Sequence, residues 1–562
     1  VSNVQNRLNE PSATAAQGSN VKTPAAPTQQ AQQPGSEAPD KRSQGRRVRK
    51  HCPRSIHALL DPAKREMDAL ALLRKSVQGR VPHLVALKYE RMAASPFGYL
   101  RGAVPVMAYD LGRAPHTGLT VQLCGDAHVR NFGAYAGIDG SLVFDINDFD
   151  ETIRGPFEWD VKRMATSILL AGREAGIKDR ACKDAVSGLL RRYRKTIHYL
   201  ASLPILETAR YQVHRDTTAD PLDAVFNKAE RATPLHNLQA LTELYSEPSA
   251  AFAQSVTTAG IHSEQEPAQA KSAEKTPAEE GSRTADDTDK APATISARRF
   301  HNQPPVLVPL SSTEAAPILA ALPSYARTLQ PERRHFLAGY RAIEVAFKVV
   351  GTGSVGLRDY CIYMQGNGPD DPLFLQVKEE VPSAWSPYLR APKSRVHHGK
   401  RVVDGQRAMQ LQSDPFLGYT TIEGRDYLVR QLNDHKASID PDTFNSEALA
   451  HYADLCGELL ARGHARSAEA ARVAGYIGKG SRFDAAIAEF ATIYADQTER
   501  DWQQLVDSRR PKRAAAGKSA STVKKTAKSA SVKSVESVKP AERSISSDAK
   551  KEKKEKKASK EK

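Results

Sequence analysis

The stretches VQLCGDAHVRNF (121–132) and LVFDINDFDETIRGPFEWD (142–160) carry the densest chemistry in the chain. A short apolar strand, Val121–Leu123, runs into Gly125-Asp126, where the glycine permits a sharp turn that aims the next carboxylate out of the strand end. A carboxylate there can accept a proton from a substrate hydroxyl. Asn131, five positions on, can offer an amide oxygen to Mg²⁺, a hard ion that prefers oxygen ligands. A second strand, Leu142–Ile146, delivers Asp145, Asp148 and Asp150 into one turn. Asp148, with Asp145 as a second candidate, can hold metal against phosphates. A base, an Asn ligand and an Asp ligand on the next hairpin are the parts of a phosphoryl-transfer site.

Other readings of the same residues are weaker. Asp145-Ile146-Asn147-Asp148-Phe149-Asp150 lacks the glycine and the later Glu of a helix–loop–helix calcium site. Asp126-Ala127-His128 fits the first ligands of a dinuclear phosphoesterase, but no further G-D or G-N-H motif follows. His128 is expected to brace the loop beside Asp126 through its ring nitrogens.

A nucleotide cradle appears far downstream. Gly351-Thr352-Gly353-Ser354-Val355-Gly356 matches G-x-G-x-x-G, flanked by the apolar runs Val345–Val350 and Tyr360–Gln365. A dinucleotide fingerprint would open a helix, which these flanks exclude, and the G-K-[S/T] of a Walker loop is absent. Strand, glycine turn, strand, turn and strand then end on Lys378. Glycines Gly351, Gly353 and Gly356, with Ser354, let backbone N–H groups approach phosphates, and a third-strand lysine pairs with them. Asp404 is the expected carboxylate partner of Lys378, with Glu379 and Glu380 as competitors. Arg425–Leu432 reads as the strand entering a hinge beneath the base.

The first block resembles the catalytic and metal-binding segments of the aminoglycoside phosphotransferase/choline kinase branch of kinase-like folds. Gly125-Asp126-Ala127-His128-Val129-Arg130-Asn131 fits G-D-x-H-x-x-N, and Gly155-Pro156-Phe157-Glu158-Trp159-Asp160 fits the motif that follows. The resemblance implies that Asp160 buttresses the Asp126 loop from the next helix, and that ATP (or another nucleoside triphosphate) and Mg²⁺ are used. The glycine loop follows the catalytic loop by about 220 residues instead of preceding it. A circularly permuted kinase-like fold accounts for that order, since permutation is tolerated where termini are exposed and close. Residues 46–506 also resemble the bacterial family DUF2252, through Pro53-Arg54-Ser55, Arg91-Met92, Ser95-Pro96-Phe97, Arg101-Gly102, GDAH..NFG, FDINDFDET..GPFEWD..R, GTGSVGLRDY, QVKEE and LARGHARS. The tails and residues 246–298 lie outside that resemblance.

The expected fold class is therefore α+β: a two-lobe, protein-kinase-like fold, circularly permuted, with disordered tails and a disordered insert. Its parts are a disordered tail (1–45), a catalytic-loop and helical lobe (46–245), a disordered insert (246–298) and a small β-rich nucleotide-binding lobe (299–435). A helical segment completing the large lobe (436–508) and a basic disordered tail (509–562) follow. The tails and insert are low in large apolar side chains and cannot offset chain entropy by burial. The net charge of +16 sits in the ends, +5 in residues 1–50 and +11 in 511–562, so the body is neutral. That argues against a nucleic-acid groove in the fold, and leaves non-specific polyanion contact to the C-terminal tail. Five scattered cysteines form no CxxC pair, and no apolar run is long enough to span a membrane. A cytoplasmic protein is expected. Its acceptor, a small hydroxylated molecule or a protein, has no readable signature; Arg91 and Arg101 are candidate anion contacts. A catalytically silent kinase-like binding module and a metal-dependent phosphoesterase using Asp126, His128 and Asp148 are the alternatives.

Overall fold

The first helix begins inside the expected tail. Asp40 caps α1 (Lys41–Val48) by accepting the N–H groups of Arg42 and Ser43. Gly45 lets the helix lie against the chain at Arg472, whose carbonyl oxygen would be 1.9 Å from any Cβ at that position. The computed structural model describes residues 40–60, 65–212, 222–245, 297–392, 394–432 and 435–510. The tail up to residue 39, most of the insert and the basic stretch from 511 lie outside the described residues. So do the expectations of disorder and polyanion contact that fall on them.

Two helices follow, α2 (Ala69–Ser76) and α3 (Pro82–Ala93). Gly79, at φ +79°, and Pro82 at the start of α3 separate them. Next come α4 (Pro96–Gly102) and α5 (Val104–Gly112), then β1 (Thr120–Leu123), β2 (Phe132–Ala136), β3 (Leu142–Ile146) and β4 (Ile153–Pro156). Helices α6 (Glu158–Glu174), α7 (Asp179–Leu200), α8 (Ile205–Arg210), α9 (Leu222–Arg231) and α10 (Pro234–Leu241) follow. β5 (Thr242–Tyr245) pairs antiparallel with β6 (Ala297–Phe300), so the two ends of the 246–296 segment meet.

β7 (Leu307–Pro309), α11 (Ser312–Ala320), α12 (Leu322–Ala326) and α13 (Pro331–Ala338) lead into β8 (Arg341–Lys348), β9 (Asp359–Gln365) and β10 (Pro372–Glu380). α14 (His398–Met409) precedes β11 (Gly418–Ile422) and β12 (Arg425–Gln431). These strands form one six-stranded antiparallel sheet in the order β11-β12-β10-β9-β8-β7. One face packs Val345, Ile362, Leu375, Val377, Tyr427 and Val429 against Tyr325 and Leu329. The other face buries Ala346, Cys361, Tyr363 and Phe374 against Leu238 and Phe300.

The chain then returns to the helical body. β13 (Ala437–Ser438) pairs with β2, and α15 (Ser446–Ser467), α16 (Ala470–Ile477) and α17 (Arg482–Arg509) follow. α15 packs along α7, and α17 packs on α6 and α7. The main core therefore joins residues from both ends of the chain, with Trp159, Ile168, Leu189 and Tyr193 against Leu459, Leu460, Phe483 and Phe490. Burial of this apolar surface is the main driving force for the fold. The mixed α+β architecture is one compact unit up to Arg509. All five cysteines are buried and free. Among the described residues, no helix is long and apolar enough to cross a membrane.

Candidate active site

α6 is buried over nearly its whole length, and its carboxylates and Arg163 are hydrogen-bonded. Glu158 accepts the Thr117 N–H at 2.6 Å and its hydroxyl at 2.8 Å. Asp160 accepts the backbone N–H groups of Cys124 (2.8 Å) and Gly125 (3.0 Å), which fixes the end of β1. His464 Nε2 lies 3.3 Å from the same carboxylate. Gly125 has φ +82°, and a Cβ there would lie 2.1 Å from the Glu151 carbonyl oxygen, so only glycine makes this turn. Trp385 Nε1 donates to the Gly125 carbonyl at 2.8 Å.

The turn delivers Asp126. Its Oδ1 accepts Arg163 Nε at 2.7 Å and also Arg163 Nη2, and its Oδ2 lies 3.6 Å from His128 Nε2. Burial would raise this carboxyl, but Arg163 and then His128 outweigh it and hold it at about 2. His128 is buried, and burial lowers its ring against the pull of Asp126; its Nδ1 has no hydrogen-bond partner among the described residues. Asn131 donates from Nδ2 to the Asp126 carbonyl oxygen at 2.7 Å, which leaves its side-chain oxygen as the atom able to act as a ligand.

The acidic turn after β3 sorts its carboxylates. Asp145, expected in the metal set, is instead buried in an ion pair with Arg462 and accepts the Ile146 N–H at 2.7 Å. Asp148 is half-buried, but Lys378, Arg430 and Lys436 outweigh the loss of hydration and hold it well below the usual carboxylate range. Asp150 Oδ2 accepts Lys378 Nζ, while its Oδ1 is buried without a partner among the described residues. Burial and the Asp148 charge push the Asp150 carboxyl up. Asp148, Asp150 and the Asn131 oxygen are an all-oxygen donor set of the kind Mg²⁺ takes. The unpartnered Asp150 oxygen is what a cation would satisfy.

Lys378 lies within β10, opposite Asp359 of β9. Burial would lower its ammonium, but Asp150 and Asp148 raise it, so it is charged. The expected partner Asp404 does not reach it: Asp404 is exposed and salt-bridged to Lys400 one helical turn away. α14 sends Arg401 inward instead, donating to the carbonyl oxygens of Asp150 (2.7 Å), Thr152 (2.5 Å) and Val381 (3.0 Å). The helix thus holds the acidic turn by its backbone. Of the competitors, Glu380 is buried within the electrostatic reach of Lys378, and Glu379 pairs with Arg358 and Arg425.

The glycine loop joins β8 to β9, with φ +68° at Gly351 and +90° at Gly356. Its carbonyls face α3 and the residues just before it. Val81 N–H donates to Gly356 (2.7 Å), Arg80 to Val355 (2.6 Å), and Arg91 to Gly351. Lys88, almost fully buried, donates to Gly353 (2.8 Å) and Thr352 (3.2 Å). Among the described residues, the N–H groups of residues 351–354 donate no backbone hydrogen bond, and Val355 forms a β-bridge with Leu357.

Lys378, Asp148 and Asp150 thus share one cluster, Asp126, His128 and Asp160 share another, and Asn131 joins the two, donating to the Asp126 carbonyl oxygen and accepting the Asn147 N–H at its backbone carbonyl at 3.0 Å. Lys88 connects the second to the glycine loop, since Asp126 and Glu151 act on its ammonium. Sequence reasoning missed Arg163 and Lys88. Arg163 was legible as the Arg three residues after Asp160, on the same helical face. Lys88 had no local signal, because its partners are more than 260 positions away.

Fold and site define a mixed α+β protein in which a sheet module with a glycine hairpin meets the acidic turn of a helical body. The chain belongs to DUF2252, a family of uncharacterised proteins conserved in bacteria, which matches residues 80–274 and 246–508. The family's span therefore runs through the 246–298 segment, contrary to the expectation that the segment lies outside it. No curated protein and no solved structure matches the chain.

Proposed function

We propose that this protein is a nucleoside-triphosphate- and Mg²⁺-dependent phosphotransferase with a permuted, two-lobed, kinase-like arrangement. The observation that carries the reading is the ion pair between Lys378 and Asp150, 228 positions apart. It sets the third-strand lysine on the turn that holds Asp148. In this reading the backbone N–H groups of the 351–356 loop and Lys378 bind the triphosphate. Asn131, Asp148 and Asp150 hold Mg²⁺, which when bound neutralises phosphate charge. Asp145 and Asp404 have no part in the site.

Asp126 orients the acceptor hydroxyl. The hydroxyl oxygen bonds to the γ-phosphorus as the bond to the β–γ bridging oxygen breaks, the nucleoside diphosphate leaves, and the hydroxyl proton passes to Asp126. A carboxyl at about 2 is a weak base towards a neutral alcohol, so the proton moves late, as the phosphoryl group arrives. The test is a melting screen with ATP, GTP and ADP, each with Mg²⁺ and with EDTA. Stabilisation by a triphosphate only with Mg²⁺ supports the reading; equal stabilisation in EDTA refutes it.

A second reading is nucleotide binding without transfer. The double hydrogen bond from Arg163 to Asp126 favours it, since a carboxylate so paired is less basic. Multiple-turnover hydrolysis or transfer excludes it. The phosphoesterase reading asks for a protein metal cage, and among the described residues no group of three or more His, Cys, Asp or Glu is arranged to hold one.

A further inference from the structure

Arg163 bridges two things: it holds the Asp126 carboxylate and donates to the Leu100 carbonyl oxygen at 2.9 Å. The next residue, Arg101, is thereby carried towards the Asp126 turn. Its guanidinium lies 6.0 Å from the centre of the Phe97 ring, and that ring meets His128 edge-on at 6.0 Å. His128 in turn faces Asp126. On the other side, the Arg101 carbonyl oxygen would lie 3.4 Å from a Cβ on Gly353, at the tip of the glycine loop. Arg101 therefore sits between the loop and Asp126.

Its charge is unmatched. Arg101 makes no hydrogen bond or ion pair among the described residues, and its Nε is buried without a partner. The nearby cations are committed: Arg91 donates to Gly351, Arg130 to Asp440, Lys88 to Gly353. Of the two carboxylates whose charge reaches Arg101, Asp126 is held by Arg163 and Asp148 makes no ion pair with Arg101. Burial, Arg130 and Arg91 all work against the Arg101 charge, while Asp126 and Asp148 support it only from a distance. Its Nε is buried and unpaired while the rest of the side chain is half-buried, and its planar fork matches a phosphate or carboxylate.

Resting on the phosphotransferase reading, we infer that Arg101 anchors an anion subsite beside Asp126, and that the acceptor presenting its hydroxyl there carries a phosphate or carboxylate of its own. Lys378 and the metal turn serve the triphosphate from the sheet side. Arg101 serves a second anion from the α4 side, and Arg91 and Arg130 add to the local positive field.

The test is calorimetric titration of inorganic phosphate into the full chain at constant ionic strength, alone and with saturating Mg²⁺ and the non-hydrolysable analogue AMP-PNP. Wild type, Arg101→Gln and Arg101→Lys are compared, with ADP and AMP-PNP affinities measured for each. Expected are phosphate binding in the presence of AMP-PNP, weakened at least about tenfold in Arg101→Gln and less in Arg101→Lys. AMP-PNP affinity should be unchanged within about threefold. With no anion present, Arg101→Gln should melt no lower than wild type, because it removes a half-buried charge that has no ion-pair partner among the described residues; a purely structural arginine would lower it. Loss of AMP-PNP affinity with ADP affinity intact would assign the anion to the γ-phosphate and overturn the acceptor proposal. Wild type that binds AMP-PNP but not phosphate overturns the subsite. Absence of AMP-PNP binding overturns the phosphotransferase reading and the acceptor assignment with it; the titration without nucleotide tells that failure from failure of the subsite.

Discussion

Lys378 and Asp150 form an ion pair that joins the middle of the six-stranded sheet to the acidic turn of the helical body, with the lysine side chain only 4% exposed. Removing one member of such a pair leaves an uncompensated buried charge, typically about 3–5 kcal/mol. Lys378→Met and Asp150→Asn should each lower stability in denaturant melts. The double variant should lose clearly less than the sum. Simple additivity in that double-mutant cycle would show that the two side chains do not interact.

Asp148 should control metal dependence. The positive charges around it keep it ionised well below neutrality, so protonation of Asp148 should not limit Mg²⁺-dependent nucleotide stabilisation between pH 8 and about pH 5. Asp148→Asn should make the nucleotide-induced shift small and insensitive to EDTA. A variant that keeps the full Mg²⁺ dependence would remove Asp148 from the site.

Asp126→Asn should leave nucleotide affinity within about threefold while turnover, read as transfer or slow ATP hydrolysis, falls about 10²–10⁴-fold. Because Asp126 stays at about 2, its protonation should cause no loss of activity between pH 5 and 8. Wild-type turnover in the variant would exclude Asp126 from the reaction.

Asp359 offers a pH test of the fold. Burial pushes its carboxyl from an ordinary 3.8 to about 7, against the pull of Lys378 and Gln376. The folded state thus holds this proton more tightly than the unfolded one. Its contribution to stability is complete below about pH 4 and is lost as pH rises through about 7, with an upper bound of roughly 4 kcal/mol. Asp359→Asn should raise the melting temperature at pH 8 and flatten its fall between pH 5 and 8. An unchanged slope would show that Asp359 does not titrate in this window.

The sequence made the site's chemistry legible where residue type and backbone need coincide. Gly125-Asp126 and the Asp145–Asp150 run announce themselves because a turn glycine and clustered acids have few other uses, and Lys378 because it ends a strand–glycine–strand pattern. Asp404 was misread although the signal was present. Lys400, Asp404 and Arg407 recur at i, i+4 and i+7, a solvent stripe opposite buried Val402, Val403, Gln406 and Met409. Asp145 could not be told from Asp148 by composition; the difference lies in Arg462, 317 positions away. Arg163 was legible by helical spacing from Asp160, and Arg101 as a candidate anion contact, but that Arg163 holds Asp126 depends on how β1 packs against α6.

The pairing of α7 with α15 has a consequence for synthesis. The apolar face of α7 is complete once Leu200 has been made, but its partner begins only at Ser446. At about 5–20 residues per second, the intervening stretch of about 250 residues takes roughly 12–50 s to translate. For that interval Leu189, Tyr193 and Ile197 emerge from the ribosome without the surface that will cover them. The nascent chain is therefore most exposed to aggregation and to chaperones midway through its own translation.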